Sequence, residues 1–198
     1  QYQQLKEFCQ QYELGEFAVL FSLMLCLMYQ DPIRLPVTLL FYSYGRSRLK
    51  PANTIGFFSF LLPFVTDLEG GIQRNFSQVV HGVEEKLALL KSREHGFWYM
   101  QDQKRKEEVI SRSAIFDYQK LYSKNQTSIW EKMIPFECVG LHNPFSFRIF
   151  DYGTEAEISV FYNTALIQND RIGKLVYAYL KQWEQILPKS AEGLNITF

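Results

Sequence analysis

PFSFRIFDYGTEAEISVFYN, Pro144 to Asn163, alternates apolar and polar residues in two runs that meet around Gly153. Period-two alternation on both sides of a glycine is the pattern of a β-hairpin. Ile158, Val160 and Tyr162 then share one face of the second strand, so the hairpin has a side to bury. The period changes a few residues later. Ile172, Leu175, Val176, Tyr179, Leu180, Trp183 and Leu187 recur at helical spacing, with Asn169 or Asp170 in position to cap the helix and Pro188 to end it. A hairpin followed by a one-faced helix is a sheet with a helix to lay on it.

The preceding residues extend the same design. "SAIFDYQ" reads as a short strand and "QDQKRKEE" as a solvated helix of mixed charge. Phe76, Val79, Val80, Val83, Leu87 and Leu90 form one face of a helix, opposite Glu84, Glu85 and Lys91. "NTIGFFSFLLPFVT" reads as a strand buried on both faces that ends near Pro63, with Gly56 where a backbone or ligand comes close. Val37 to Tyr42 reads as a central strand that turns at Gly45. Residues 1–29 read as one helix of two characters, amphipathic through Leu5, Phe8, Cys9 and Tyr12, interrupted at Gly15, then apolar all round. "KLYSKNQTSIWEKM" is assigned to loop. The expected order is helix, strand, strand, helix, helix, strand, hairpin, helix. That is an α/β or α+β fold with a mixed sheet flanked by helices, over residues 1–188, with 189–198 as a tail.

Composition narrows the function classes. The chain has 198 residues, enough for one sizeable core. Lys and Arg total 21 and Asp and Glu total 21, so no charge footprint favours nucleic acid or an anionic membrane. The apolar run Phe17–Tyr29 is too short to span a bilayer and stops at Gln30-Asp31-Pro32. The chain is expected to be soluble and cytoplasmic. Cys9, Cys26 and Cys138 make no metal or C-x-x-C spacing, and their scatter fits a reducing compartment. With no leader pattern at the start, the sequons at Asn75, Asn125 and Asn195 are expected to be chance occurrences.

Most catalytic signatures are missing. "LEGGIQ" lacks the lysine and spacing of a phosphate loop, and neither G-x-S-x-G nor H-E-x-x-H occurs. His81, His95 and His142 stand far apart. His81 is expected to be a half-exposed structural residue one turn off its helix's apolar stripe. Glu84-Glu85 and Glu107-Glu108 point about 100° apart on helices and form no shared-proton pair. The aromatic clusters "FFSF" and "HGFWYM" fit core packing better than a substrate slot. No metal site and no directly bound cofactor is expected.

The order of short words says more than any single word. "LKEFCQQYELGEFAVLFSLMLCLMY" resembles the helix that opens the C-terminal half of condensation domains from nonribosomal peptide synthetases. "VTLLFYSYGRSR" resembles the next strand, with its Gly-Arg pair at Gly45 and Arg46. "IGFFSFLLPFV" falls where the family has I/V-G-x-F-V-N-T-x-x-x-R: Ile55, Gly56 and Phe58 match, while Ser59, Phe60, Leu61 and Val65 replace Val, Asn, Thr and Arg. "EHGFWYM" sits where the family carries H-Q-D-Y-P-F-E, with His95 in common. "SRSAIFDYQ" takes the place of the family's Phe-rich strand, and "YNTALIQNDRI" is close to the family's closing text.

This resemblance implies one lobe of a chloramphenicol-acetyltransferase-like, V-shaped pair. It implies attack of an acceptor amine on a donor thioester, both carried on the phosphopantetheine arms of carrier proteins. The implied partners are an N-terminal condensation lobe and carrier proteins. Gly45, Arg46, Gly56, Phe58, Ser59 and Phe60 are the implied tunnel or motif positions. The family's H-H-x-x-x-D-G string is absent, so the chain is expected not to form amide bonds by itself. Two readings follow: the C-terminal half of a working domain, which a start at Gln1 directly in a helix favours, or a degenerate docking or scaffold domain, which the lost Asn and Arg favour. An unrelated lobe using CoA is a third. A lobe built to lean on another is expected to self-associate when isolated.

Overall fold

The computed structural model describes residues 2–30, 38–43, 60–65, 76–93, 103–121 and 143–186. Along them run α1 (Tyr2–Gln11), α2 (Glu16–Gln30), β1 (Thr38–Ser43), β2 (Phe60–Val65), α3 (Phe76–Ser92), α4 (Gln103–Ser111), β3 (Ala114–Lys120), β4 (Phe145–Asp151), β5 (Ala156–Tyr162) and α5 (Asn169–Ile186). The expected order holds with one refinement: the first helix is two helices, bent by 110°. The break lies earlier than Gly15. Glu13 takes a left-handed φ of 54°, and the Leu14 N–H donates to the Cys9 carbonyl at 2.9 Å, which closes α1. Gly15 instead opens α2, its N–H held by Glu84 Oε1 at 2.8 Å. Glu84 is therefore more than a solvated acid.

The strands form one mixed sheet in the order β2-β1-β3-β4-β5. β1, β3 and β4 run parallel, and β2 and β5 pair antiparallel at the two edges. β2 departs from expectation. Its described span, Phe60–Val65, continues through Pro63, and it is an edge strand, the place where a proline is tolerated. It is not buried on both faces: Leu62 and Phe64 face the core, whereas Val65 is 51% exposed. Lys120 also closes β3, opposite Asp151, rather than opening a loop.

One face of the sheet makes the core. Leu39, Phe41, Phe64, Ala114, Phe116, Phe145, Phe147 and Ile149 pack there against apolar residues of α1, α2, α3 and α5. α2 is apolar all round because it is buried all round, with Ala18 through Leu27 sealed from solvent. Phe21 on α2 meets Phe64, Phe116 and Phe41 edge-on at 5.0, 5.5 and 5.9 Å between ring centroids. The Tyr179 hydroxyl of α5 donates to the Leu20 carbonyl at 2.9 Å, tying the last helix to α2.

α5 buries Ile172, Leu175, Tyr179, Trp183 and Ile186, while Leu180 is at the exposed margin. Its first amides turn back to the Gln168 carbonyl. Asn169 does not cap it: its Oδ1 accepts the Tyr162 hydroxyl at 2.8 Å. His81 is exposed beside Glu84, Nδ1 to Oε2 3.4 Å. Among the described residues no single helix is long and apolar enough to cross a membrane. Most of the expected loop, Cys138, His95, His142, the three sequons, "HGFWYM", Leu187, Pro188 and the tail at 189–198 lie outside the described residues.

Candidate functional site

Parallel strands leave their carboxyl ends on one edge of the sheet, and in open α/β folds ligands bind there. Here β3 and β4 end side by side at Lys120 and Asp151. α1 and the start of α2 pack over that end and bring two more charges, Lys6 and Glu16. Lys6 Nζ donates to Asp151 Oδ1 at 3.0 Å and to the Gly153 carbonyl at 2.8 Å. Lys120 Nζ lies 2.9 Å from Glu16 Oε2. Between the two ion pairs sits Tyr118, whose hydroxyl contacts Glu16 Oε2, Asp151 Oδ2 at 2.9 Å and the Tyr2 hydroxyl at 3.2 Å.

The hairpin turn serves this cluster. Gly153 holds a φ of 98°, left-handed backbone that suits glycine, and its N–H returns to Asp151 Oδ1 at 2.8 Å. Burial pushes the Asp151 carboxyl up, but the Gly153 amide, Lys6, Tyr2 and Tyr118 outweigh it and hold the group below its ordinary 3.8. Tyr2 and Tyr118 are pushed up, by burial first and then by the adjacent carboxylates. Both phenols therefore stay protonated and donate; neither is a base at neutral pH. Beside the cluster opens a cleft of about 640 Å³ whose walls include Lys6, Cys9, Glu13, Glu16 and Lys120. Burial, reinforced by Glu16, raises the Cys9 thiol to about 12, so it is not a nucleophile. The four charges at the strand ends are balanced in two pairs. The arrangement braces α1 and α2 against the sheet and offers polar walls. Among the described residues no group of His, Cys, Asp and Glu is placed to hold a metal ion.

The opposite face of the sheet, which takes no part in that core, carries a second set of polar residues in register. Asp117, Arg148 and Ser159 lie abreast on β3, β4 and β5. Asp117 is buried and its carboxyl is raised by that burial, against the partial help of Gln119 Nε2 at 2.7 Å and the charge of Arg148.

No protein-family model and no curated protein sequence matches the chain. Solved structures do. The epimerization domain from the third module of tyrocidine synthetase B matches with a TM-score of 0.64 at 17% identity, over 93% of this chain and 45% of its own. The condensation domain from the Monacolin K polyketide synthase MokA matches with 0.65 at 15% identity, over 97% and 45%. The X-domain from teicoplanin biosynthesis, also solved in complex with OxyB, matches with 0.68 at 13% identity, over 97% and 45%. The fold is that of one lobe of a condensation-type domain. The sheet flanked by helices is of the chloramphenicol-acetyltransferase kind, and the chain spans less than half the length of the structures it matches.

In this fold the positions that carry the resemblance and the carboxyl-end cluster are different places. Gly45, Arg46, Gly56, Phe58 and Ser59 lie outside the described residues. Phe60 opens β2 opposite Ser43, on the far edge strand from β4 and β5. Leu61 and Val65, at the resemblance's Thr and Arg positions, belong to the same strand, and the Val65 carbonyl accepts Lys86 Nζ. Lys6, Glu16, Tyr118, Lys120 and Asp151 were invisible as a group, because each reads singly as a surface charge or a core ring. The available signal was a charged residue closing two of the apolar strands, Lys120 on β3 and Asp151 on β4.

Proposed function

We propose that the chain is the C-terminal half of a condensation-type domain in a nonribosomal peptide or hybrid polyketide assembly line. The observation that carries this reading is coverage: nearly the whole chain overlays 45% of each of the three domains described above. The order of family-like words, from the opening helix to "YNTALIQNDRI", supports the C-terminal half. In this role the chain supplies one wall of the reaction tunnel and part of the docking surface for carrier proteins, in the cytoplasm. The reaction served is attack of an acceptor amine nitrogen on a donor thioester carbonyl. The new amide forms as the carbon–sulfur bond breaks, and the amine proton leaves as the phosphopantetheine thiol is released.

A positioned acid or base contributes about 10²–10⁴-fold to such steps, and orientation contributes more. The sequence holds no H-H-x-x-x-D-G. The chain alone is therefore inactive. Incubated with loaded donor and acceptor carrier proteins it gives no amide product, and an added N-terminal half bearing the histidine motif restores product. Product from the chain alone would refute the assignment of roles.

One observation favours a second reading. The positions of the family's Thr and Arg hold Leu61 and Val65 on a partly exposed edge strand, side chains with no charge chemistry. A non-catalytic domain that docks other proteins is consistent with that. Its signature is carrier-protein binding that persists while the added N-terminal half restores no product.

A further inference from the structure

The two edges of the sheet are treated differently. β2 contains Pro63, and Lys86 Nζ occupies the Val65 carbonyl; proline and lysine are the usual guards of an open edge. β5 has neither. Its register with β4 also shows which of its backbone groups are free. Tyr152 N–H donates to the Glu155 carbonyl and Asn163 N–H to the Pro144 carbonyl, so the odd-numbered residues of β5 bond inward to β4. The N–H and C=O groups of Ala156, Ile158, Val160 and Tyr162 therefore point outward. No described residue bonds to those of Ile158 or Val160.

A pair of opposite charges lies on the same two strands. The Arg148 guanidinium rests over the Phe161 ring, 5.0 Å to its centroid, and its Nε donates to Ser146 Oγ at 3.3 Å. Glu157 takes only the Ser159 hydroxyl, at 3.3 Å. Among the described residues neither makes a direct ion pair, although the Arg148 charge is felt by Asp117 abreast of it.

We propose that β5 pairs antiparallel with β5 of a second copy of this chain, about a two-fold axis at Ser159. Only this register overlaps the whole strand with the outward groups opposed. It sets Ile158 against Val160, Ala156 against Tyr162, and Glu157 against Phe161. Glu157 of one copy then meets the ring that Arg148 of the other covers, so each Glu157 gains an opposite charge, twice over. No like charges face each other. One strand per copy buries little area, which puts the dimer in the weak, transient class. The pairing is independent of the acyl-transfer reading.

Sedimentation of the full chain over a range of concentrations tests it. The mass is expected to rise toward two copies as concentration increases. Val160→Pro removes an outward N–H without touching the β4 ladder, and is expected to stay a single copy throughout. Arg148→Glu and Glu157→Arg are each expected to weaken the dimer roughly tenfold, and the double variant to recover it. The charge-reversal series keeps the test decisive should Val160→Pro fail to fold. A wild-type chain that remains single at every concentration overturns the proposal. So does a dimer that ignores both the proline and the charge reversals, since it would use another surface.

Discussion

Ile-Phe-Asp-Tyr occurs twice, at 115–118 in β3 and at 149–152 across the end of β4. The two copies have opposite fates. The parallel register sets Ile115 beside Ser146, so the second copy is staggered from the first by three residues. An odd stagger inverts the faces. Phe116 is in the core, stacked on Phe147, while Phe150 faces the other side; Ile149 is in the core, while Ile115 is not. Asp117 is buried with one hydrogen bond from Gln119, and its carboxyl is raised. Asp151 gathers Lys6, the Gly153 amide and the tyrosines, and its carboxyl is lowered. Identical words acquire different chemistry from register alone.

The largest break in this symmetry comes from the aspartates. Asp151→Ala takes the buried carboxylate from Lys6 and Tyr118 and is expected to cost about 3–5 kcal/mol in urea unfolding, whereas Asp117→Asn stays within about 1 kcal/mol or stabilises. A cost for Asp117→Asn equal to that of Asp151→Ala would erase the contrast. Next come the tyrosines. Tyr118→Phe removes the hydroxyl shared by Glu16, Asp151 and Tyr2 and is expected to cost about 1–3 kcal/mol.

The pH dependence separates the pair by sign. Both carboxyls start from 3.8. For Asp151 the unfolded chain binds more protons, so its contribution is present above 3.8 and is lost as pH falls through the lower folded value. For Asp117 the folded chain binds more, so stability is full below 3.8 and declines as pH rises through the raised folded value. Unfolding midpoints against pH should lose the acid-side rise in Asp151→Asn and the opposing decline in Asp117→Asn; unchanged profiles would refute the assignments. The smallest effect belongs to Tyr152, whose buried hydroxyl has no partner among the described residues. Tyr152→Phe is expected to be neutral or to stabilise by up to about 1 kcal/mol by the same unfolding measurement.

These contrasts show what sequence can carry. The β4–β5 hairpin and the buried face of α5 were legible because their contacts are local: period two about Gly153, and three- or four-residue steps from Ile172 to Trp183. β2 was read as buried on both faces and as ending near Pro63 because nothing within "NTIGFFSFLLPFV" says which strand it will pair with or that it will be an edge. Pro63 carried that information and was read as an end. The polar cluster was beyond reach for a related reason. Lys6 and Asp151 are 145 residues apart and Glu16 and Tyr118 are 102, so only the fold makes them neighbours. The condensation-type fold was readable through the order of family-like words rather than through any single one.

The all-round burial of α2 has a consequence in time. Its lid is α5, whose Tyr179 lies 159 residues after Leu20. At ribosomal speeds of about 5–20 residues per second, the most apolar segment of the chain emerges roughly 8–30 s before the helix that will cover it. During that interval α2 is a ready substrate for chaperones, and the yield of folded protein depends on synthesis rate as well as on the stability of the finished fold.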